Sequence, residues 1–191
     1  SNDFILFLKK IAKKVDFVFL YVDEEIRKIN MYRKTLNILK KKLILSEKKT
    51  IDICLNKKKF FYFCKKNKIN CPSENYTKKM LAKPIYGRGS KNIFTIKNKL
   101  EYNFFKSKKD FLIKNFIDGD EYTIDCLFDV NGNLIFALPR LRIVHRGESI
   151  IGKIVRNQKL INFVIDFSKK IKFYGPINIQ VIKDKNNKIW I

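Results

Sequence analysis

The feature that most constrains the fold is a pair of apolar-rich runs joined by Asn131-Gly132. Asn-Gly between two such runs is a strong hairpin signal, because both residues tolerate the positive φ of a tight hairpin turn. In the first run, apolar residues alternate with polar ones, so that one side of the strand is predicted to be core and the other acidic and open. The apolar set is Tyr122, Ile124, Cys126 and Phe128, and the polar set is Glu121, Thr123, Asp125 and Asp129. The sequence therefore predicts strands 122–130 and 133–140, paired antiparallel.

The elements before and after this hairpin predict two kinds of architecture in one chain. A short amphipathic helix from Phe4 to Ile11, a strand at 15–22, a helix from Asp23 to about Lys41 and a strand at 43–45 are typical of a small α/β unit with parallel pairing. The rest reads as an α+β body. Its predicted helices are 57–67 and 158–172, and its other predicted strands are 79–86, 93–96, 111–117 and 176–183.

Composition excludes some functions and leaves others open. The chain has 191 residues, 46% of them hydrophobic, and a formal net charge of +24. The lysines are scattered, which favours a solvated coat, and no recognition helix or aromatic sheet motif supports nucleic-acid binding. No apolar run approaches the ~20 residues of a membrane helix, and four cysteines without a C-x-x-C pair, with a single histidine, argue against zinc. We expect a cytoplasmic protein without a membrane partner.

The stretch from Lys83 to Ser90 carries a motif for binding phosphate. The apolar run Met80-Leu81-Ala82 leads into a lysine, a proline and a loop with Gly87 and Gly89. Glycine lets backbone N–H groups approach an anion, and Ser90 adds a hydroxyl donor. The alternative is a lysine that ends a strand before an ordinary turn.

Three further sets of residues have both a functional and an ordinary interpretation. The turn from Phe116 to Glu121 could hold a purine by its backbone and a ribose hydroxyl by Glu121, or be a plain turn. The period-two row Arg140, Arg142 and Arg146 suits an anionic group, or is a wet surface. Amides at Asn178 and Gln180 are oxygen ligands for a nucleotide-bound Mg²⁺, or surface polar groups.

The order of these segments resembles the ATP-grasp superfamily, and within it the carbamoyl-phosphate-synthase-like proteins. The resemblance covers about Asn56 to Ile191, and residues 4–55 resemble part of the α/β domain that precedes the grasp fold. It rests on several motifs in the right order: Asn56-Lys57, Lys83-Pro84-x-x-Gly-x-Gly-Ser90, Phe116-Ile117-Asp118-Gly119-Asp120-Glu121, Asp129-Val130-Asn131-Gly132, Pro139-Arg140-x-Arg142, His145-Arg146-Gly147-Glu148-Ser149 and Gly175-Pro176-Ile177-Asn178-Ile179-Gln180.

The resemblance implies a fold, two cofactors and a role for each matching residue. The fold would be a partial pre-grasp domain at 1–55 and an ATP-grasp domain at 56–191, with a mobile lid at 72–117. Lys57 and Lys83 would contact phosphates, and Gly87, Gly89 and Ser90 would cover them. From the chemistry of guanidinium groups, we expect Arg140, Arg142 and Arg146 to bind a triphosphate or an acidic substrate, and we assign them to the small carboxylate substrate. The remaining nucleotide and metal roles fall to Phe116 and Ile117 at adenine, Glu121 at ribose, His145 beside the nucleotide and Gln180 near Mg²⁺.

The chain departs from the family pattern at three positions and at its end. Asn56 replaces an Asp, Lys114 replaces a hinge acid, and Asn92 replaces a loop glycine. The family's Mg²⁺-binding Glu-x-Asn-Pro-Arg segment is expected just after Ile191, so we expect this chain to be a fragment, inactive as it stands. The leading interpretation is the ATP- and Mg-binding part of a ligase that acts through an acyl phosphate. A degenerate nucleotide-binding module and a basic nucleic-acid-binding domain are the alternatives, and a homodimer stays open.

Overall fold

The protein has a mixed α+β fold in which the strands form three separate sheets. The computed structural model describes residues 2–36, 42–146 and 148–191. Within these ranges the sheets have two, three and five strands, and helices pack on each of them. None of the described helices has the length and apolar character needed to cross a membrane.

The first layer contains the two-stranded sheet. Its strands β1 (Val18–Phe19) and β2 (Leu43–Ile44) pair in parallel, as the strand-helix-strand order predicts. Helices α1 (Asn2–Ile11) and α2 (Asp23–Tyr32) bury Ile5, Leu8 and Ile29 with Leu36. The helix predicted to reach about residue 41 ends at Tyr32 and is followed by a short 3-10 helix (Arg33–Thr35), and 37–41 lie outside the described residues. This turn allows Leu36, which is only 2% exposed, to join the core.

The second layer is a three-stranded antiparallel sheet covered by one helix. Strands β3 (Met80–Pro84), β4 (Phe94–Ile96) and β5 (Phe111–Asn115) lie in the order β4-β3-β5. Helix α5 (Lys99–Ser107), which the sequence did not predict, begins at an Asn98 side chain that accepts a hydrogen bond from the Glu101 backbone N–H. One face of the sheet buries Met80, Ala82, Ile96 and Ile113, with Phe105 of α5 packed against them.

The third layer is a five-stranded antiparallel sheet of β6 (Gly119–Phe128), β7 (Leu134–Arg146), β8 (Glu148–Ile154), β9 (Gly175–Asp184) and β10 (Ile189–Trp190), in the order β10-β9-β6-β7-β8. Helices α4 (Lys57–Lys66) and α6 (Gln158–Ser168) cover its buried face. There, Phe60 and Phe63 of α4 and Val164 and Phe167 of α6 meet the apolar row of β6. Helix α3 (Lys48–Cys54) packs against both α2 and α4.

The predicted hairpin is confirmed, and its second strand extends beyond the predicted end at residue 140. Strands β6 and β7 pair from Tyr122 with Leu141 to Phe128 with Leu134, and Gly132 in the turn has a φ of 89°. Strand β7 continues to Arg146 and pairs with β8. The pairing shifts register twice after Arg142, so the expected period-two arginine row is interrupted before it reaches Arg146.

The first layer and helix α3 are attached to the third layer by part-buried hydrogen bonds over a long sequence separation. The Ser46 hydroxyl accepts from the Tyr174 backbone N–H at 2.9 Å, and the Thr50 hydroxyl donates to the Lys172 carbonyl at 2.9 Å. Gly175 follows with φ 83°, and a Cβ there would lie 2.6 Å from the Ile44 side chain. Only glycine satisfies both the backbone conformation and this close packing.

Candidate functional site

The glycine loop after β3 presents exposed backbone in a left-handed conformation. Gly87 and Gly89 have φ values of 123° and 67°, and Ser90 and Asn92 have values of 56° and 57°. A Cβ built on either glycine meets no atom within 4 Å, so the space beside the loop is empty. Successive N–H groups in such a conformation form a concave anion-binding surface. The loop thus has the backbone geometry expected for a phosphate site.

The first turn of α4 holds the base of this loop. The Asn56 side chain accepts from the Lys59 backbone N–H at 2.9 Å, which caps the helix, and its amide donates to the Tyr86 hydroxyl at 2.8 Å. The ammonium of Lys57 donates to the Gly87 carbonyl at 2.6 Å. Asn56, in the place of the family's Asp, therefore still caps the helix. Lys57 lies directly under the loop.

Lys83 on β3 adds a second cation beside Lys57. Burial lowers the pKa of both lysines from the usual value, and the charge of Lys83 lowers that of Lys57 further. Two carboxylates oppose these effects, Asp23 at Lys57 and Glu121 at Lys83. Lys57, Lys83 and Glu121 are thus drawn together from α4, β3 and β6. An added anion would relieve the repulsion between the two lysines.

The polar face of the five-stranded sheet carries two ion pairs. Arg142 donates to Glu121 at 2.9 Å, and Arg140 makes two hydrogen bonds with Asp125. The Asn178 side chain also donates to Asp125, at 2.8 Å. The anions that we expected for Arg140 and Arg142 are therefore supplied by the chain's own carboxylates. The alternative of a wet arginine surface is wrong for Arg142, whose side chain is 8% exposed.

One donor of Arg142 has no partner among the described residues. Its Nε is buried and makes no hydrogen bond, although its Nη1 is paired with Glu121. Gln180 lies on the same face, opposite Thr123 in the register of β6 and β9, and is exposed. The side chains of His145 and Arg146, both predicted site residues, lie outside the described part of the chain.

Phe116 and Ile117 form the crossing from the three-stranded sheet to the five-stranded one. The Phe116 N–H bonds the Lys79 carbonyl at 3.0 Å, and the Lys79 ammonium lies 3.6 Å from the centre of the Phe116 ring. Both residues are partly buried and belong to no strand. This connection is thus tied to Lys79, but its residues 116–118 belong to no β-strand.

Two features of this surface were not anticipated from the sequence, the pairing of Asp125 and the burial of Lys114, whereas Asn178 was already a candidate Mg²⁺ ligand. Asp125 and Asn178 lie at the centre of the polar network, and Lys114 is buried at the end of β5. The alternation of β6 and β9 contained the signal for the first two. Nothing in the sequence near Lys114 shows that helix α4 would cover it, because that contact is made between distant segments.

The surface fits a nucleotide better than it fits a metal ion. Two lysines and an open glycine loop are suited to a polyphosphate. Among the described residues there is no group of three or more His, Cys, Asp or Glu side chains that could hold a metal ion. Glu121 and Asp125 are each engaged by an arginine.

Comparison with known protein families identifies one family. The ATP-grasp domain family matches residues 54–190. No curated protein matches the chain in sequence. Solved structures do match in fold. The L-amino acid ligase of Bacillus licheniformis gives a TM-score of 0.70 at 16% identity, over 95% of this chain and 50% of that one.

Two more structures show the same likeness. The biotin carboxylase domain of Hydrogenobacter thermophilus 2-oxoglutarate carboxylase, solved with MgADP and bicarbonate, gives a TM-score of 0.74 at 14% identity over 96% of this chain and 49% of that one. The D-alanine-D-alanine ligase of Coxiella burnetii gives 0.71 at 16% identity, over 92% and 57%. The chain therefore spans about half the length of these structures. With the family matching most of its length, the chain belongs to the ATP-grasp family.

Proposed function

We propose that this chain is the nucleotide-binding part of an ATP-dependent ligase that couples a carboxylate to an amine or similar nucleophile. The observation that supports this most is the convergence of Lys57, Lys83 and the open glycine loop, with Glu121 close to Lys83. Within the family we assign it to the carbamoyl-phosphate-synthase-like proteins, on the order of its motifs. A partial pre-grasp domain at 1–55 and a lid at 72–117 belong to the same proposal.

The proposed nucleotide pose follows the residues along the surface. Lys57, Lys83 and the amides of Gly87, Gly89 and Ser90 neutralise the phosphates, Glu121 accepts from a ribose hydroxyl, and Phe116 and Ile117 border the base. Fixed cations aimed at phosphate oxygens stabilise charge that develops during phosphoryl transfer. His145 lies beside the nucleotide in this proposal. Mg²⁺ would enter with ATP and neutralise phosphate charge, with Gln180 as an oxygen ligand.

The proposed chemistry assigns the arginines to the second substrate. A carboxylate oxygen attacks the γ-phosphorus, the bond to the ADP oxygen breaks, and an acyl phosphate forms. The nucleophile then attacks the acyl carbon and releases phosphate. Arg140, Arg142 and Arg146 would bind the carboxylate. The Nε of Arg142 has no partner among the described residues, so it could donate to the carboxylate while Nη1 keeps its hydrogen bond to Glu121.

A nucleotide-binding module without catalysis is a second candidate. The observation that favours it is that Arg140 and Arg142 and their partners Asp125 and Glu121 are already paired with one another. A full-length protein that binds Mg-ATP but releases no ADP in response to any carboxylate would support this candidate. The net charge of +24 alone favours nucleic-acid binding. A homodimer also stays a proposal; the Hydrogenobacter biotin carboxylase domain is described as a dimer.

The proposal is tested by thermal unfolding of the full-length protein with Mg-ATP. A ligand that binds only the folded state stabilises it by about 2.7 kcal/mol at a concentration one hundred times Kd. We expect Mg-ATP to raise Tm, and Lys83→Ala to remove most of the rise because a cation at the phosphates is lost. Lys78→Ala, in an exposed residue just before β3, is the control. An equal rise in Lys83→Ala and wild type would contradict the phosphate assignment.

A further inference from the structure

The turn that ends helix α4 brings the chain back towards Cys64. The Ile69 N–H bonds the Cys64 carbonyl at 2.9 Å, and the Lys68 N–H bonds the Lys65 carbonyl at 3.2 Å. Lys68 has a φ of 56°. These two bonds around a left-handed residue form the Schellman motif, which reverses the chain at the end of a helix. Cys71 follows Ile69 by two residues, so the segment that carries it starts beside Cys64.

Cys64 and Cys71 influence each other electrostatically but differ in exposure. Cys64 is fully buried, and Cys71 is half-buried. The pKa of Cys64 is raised to about 12, mainly by burial and next by the neighbouring Cys71. Burial also raises the pKa of Cys71, whereas Lys114 and Lys65 lower it and Glu74 raises it. A partly exposed thiol beside two cations is the usual setting of a reactive cysteine, so Cys71 is the more reactive of the pair.

Lys114 supplies a cation that no acceptor holds. The residue is 6% exposed, and its Nζ is buried under the Phe61 ring without a hydrogen-bond partner among the described residues. Burial lowers its pKa, and the nearby Glu74 and Cys71 raise it. An ammonium is a donor only, and it stabilises a thiolate close to it. Lys114 therefore favours the form of Cys71 that reacts with oxidants.

Cys71 lies in the connection between the third layer and the second. Just before it, the Asn70 carbonyl accepts from the N–H of Ile191, the residue after β10, at 3.0 Å. Two residues after it, the Ser73 carbonyl accepts from the N–H of Asn115, the last residue of β5, at 2.8 Å. A covalent bond from Cys71 to Cys64 of α4 would extend the attachment to the third layer and shorten the free connection.

We propose that Cys64 and Cys71 are a redox-sensitive pair that a peroxide converts to a disulfide. The Cys71 sulfur attacks a peroxide oxygen, the O–O bond breaks, and a sulfenic acid and water form. The Cys64 sulfur then attacks the Cys71 sulfur, the S–O bond breaks, and the Cys64 proton leaves with the hydroxide as a second water. The two sulfurs lose two electrons, which the peroxide accepts. The disulfide does not depend on the proposed function, but a restricted movement of the proposed lid at 72–117 does.

The test treats the reduced, folded full-length protein with hydrogen peroxide and then alkylates the remaining thiols. Trypsin cuts after Lys65 and Lys68, so that Cys64 and Cys71 lie on separate peptides. We expect peptides 60–65 and 69–78 to be found as a disulfide-linked pair, while the other two cysteines of the chain are alkylated. Cys71→Ser should remove the linked pair. Cys64→Ala should leave a sulfenic acid at Cys71, which dimedone labels.

A rate measurement tests the role of Lys114. Lys114→Met should slow the oxidation of Cys71 by about tenfold for each unit by which the pKa of Cys71 rises, because the thiolate fraction falls. Lys109→Met, in an exposed residue of the turn before β5, is the matched control and should react at the wild-type rate. An equal rate in Lys114→Met and wild type would overturn the role given to Lys114.

The pair itself is overturned by either of two outcomes in wild type. One is that Cys64 and Cys71 both remain alkylated after peroxide treatment, and the other is that Cys64 is linked to Cys54. Circular dichroism shows whether each variant is folded. If Cys64→Ala is unfolded, wild type and Cys71→Ser decide. Neither readout involves a nucleotide, so failure of this proposal and failure of the proposed function are separate results.

Discussion

The buried lysine Lys114 lowers the free energy of unfolding at neutral pH. Burial lowers the pKa of Lys114 from 10.5 to about 7, and the nearby Glu74 and Cys71 offset only part of this effect. Above pH 10.5 the side chain is neutral in both the folded and the unfolded chain. Between pH 10.5 and 7 the unfolded chain binds a proton that the folded chain does not, so stability falls as pH falls. Below pH 7 both states are protonated and the cost is constant.

Replacing this lysine should therefore change how stability depends on pH. We expect Lys114→Met to exceed wild type in stability by more at pH 7 than at pH 10. The difference should grow by about 1.4 kcal/mol for each pH unit within the window. Urea unfolding at pH 7 and 10 measures it. Lys109→Met removes an exposed lysine and should show the same free energy of unfolding as wild type at both pH values. A constant Lys114→Met difference would show that Lys114 has an ordinary pKa.

At the residue scale, the sequence could predict side chains whose position depends on a single strand or turn. It could not predict contacts that depend on how two distant segments pack. Lys83 and the loop glycines could be proposed from the sequence because a strand end and a turn are local. The partners of Arg140 and Arg142 were missed, because they depend on how β6 and β7 align. The burial of Lys114 was also missed, since it depends on the packing of Phe61 from α4.

At the scale of elements, the glycine loop is attached to its surroundings by a few polar contacts. Lys57 bonds the Gly87 carbonyl, and Arg27 lies 5.2 Å from the centre of the Tyr86 ring. Arg88 lies 3.6 Å from Glu24 on α2, in an exposed ion pair that contributes little stability. Without nucleotide, the loop is therefore held to α4 by Lys57 and by the hydrogen bond from Asn56 to the Tyr86 hydroxyl. Phosphate would compete with the Gly87 carbonyl for the same ammonium.

Removing that ammonium should loosen the loop without unfolding the helix beneath it. We expect Lys57→Met to speed amide hydrogen exchange at 86–90, while α4 keeps its protection because Asn56 still caps it. Mass spectrometry of nucleotide-free protein measures this. Lys58→Met, one exposed position further along α4, is the matched control. Unchanged exchange at 86–90 in Lys57→Met would show that other contacts hold the loop.

The elements themselves were predicted unevenly, for physical reasons. The hairpin was found because its turn and alternation agree. Helices α3 and α5 were missed because each is short and rich in lysine, although Asn98 and Glu101 form a recognisable cap for α5. Strand β8 was missed because Gly152 interrupts its apolar residues. Its strand conformation is stabilised by antiparallel pairing with β7, which its own sequence does not indicate.

At the scale of the whole molecule, one serine connects the first layer to the third. Ser46 is 3% exposed and bonds both the N–H and the carbonyl of Tyr174. We expect Ser46→Ala to lower the free energy of unfolding by about 1–3 kcal/mol, because the N–H and the carbonyl of the partly buried Tyr174 lose their partner. Urea unfolding measures this. Ser107→Ala, at the exposed end of α5, should cost less. Equal losses would show that the junction contributes no more than a surface contact.

This junction also sets an order of events while the chain is being synthesised. Residues emerge from the ribosome from the N-terminus, and early segments usually fold first. Ser46 and Thr50 cannot meet their partners until residues 172–174 have emerged, a separation of 122 to 128 residues. The sheet of β3, β4 and β5 closes within a much shorter stretch and needs no such delay. The first layer can bury its own core before then, because Ile5, Leu8, Ile29, Leu36 and Leu43 all lie within residues 2–45, but its attachment to the third layer must wait until Tyr174 has emerged.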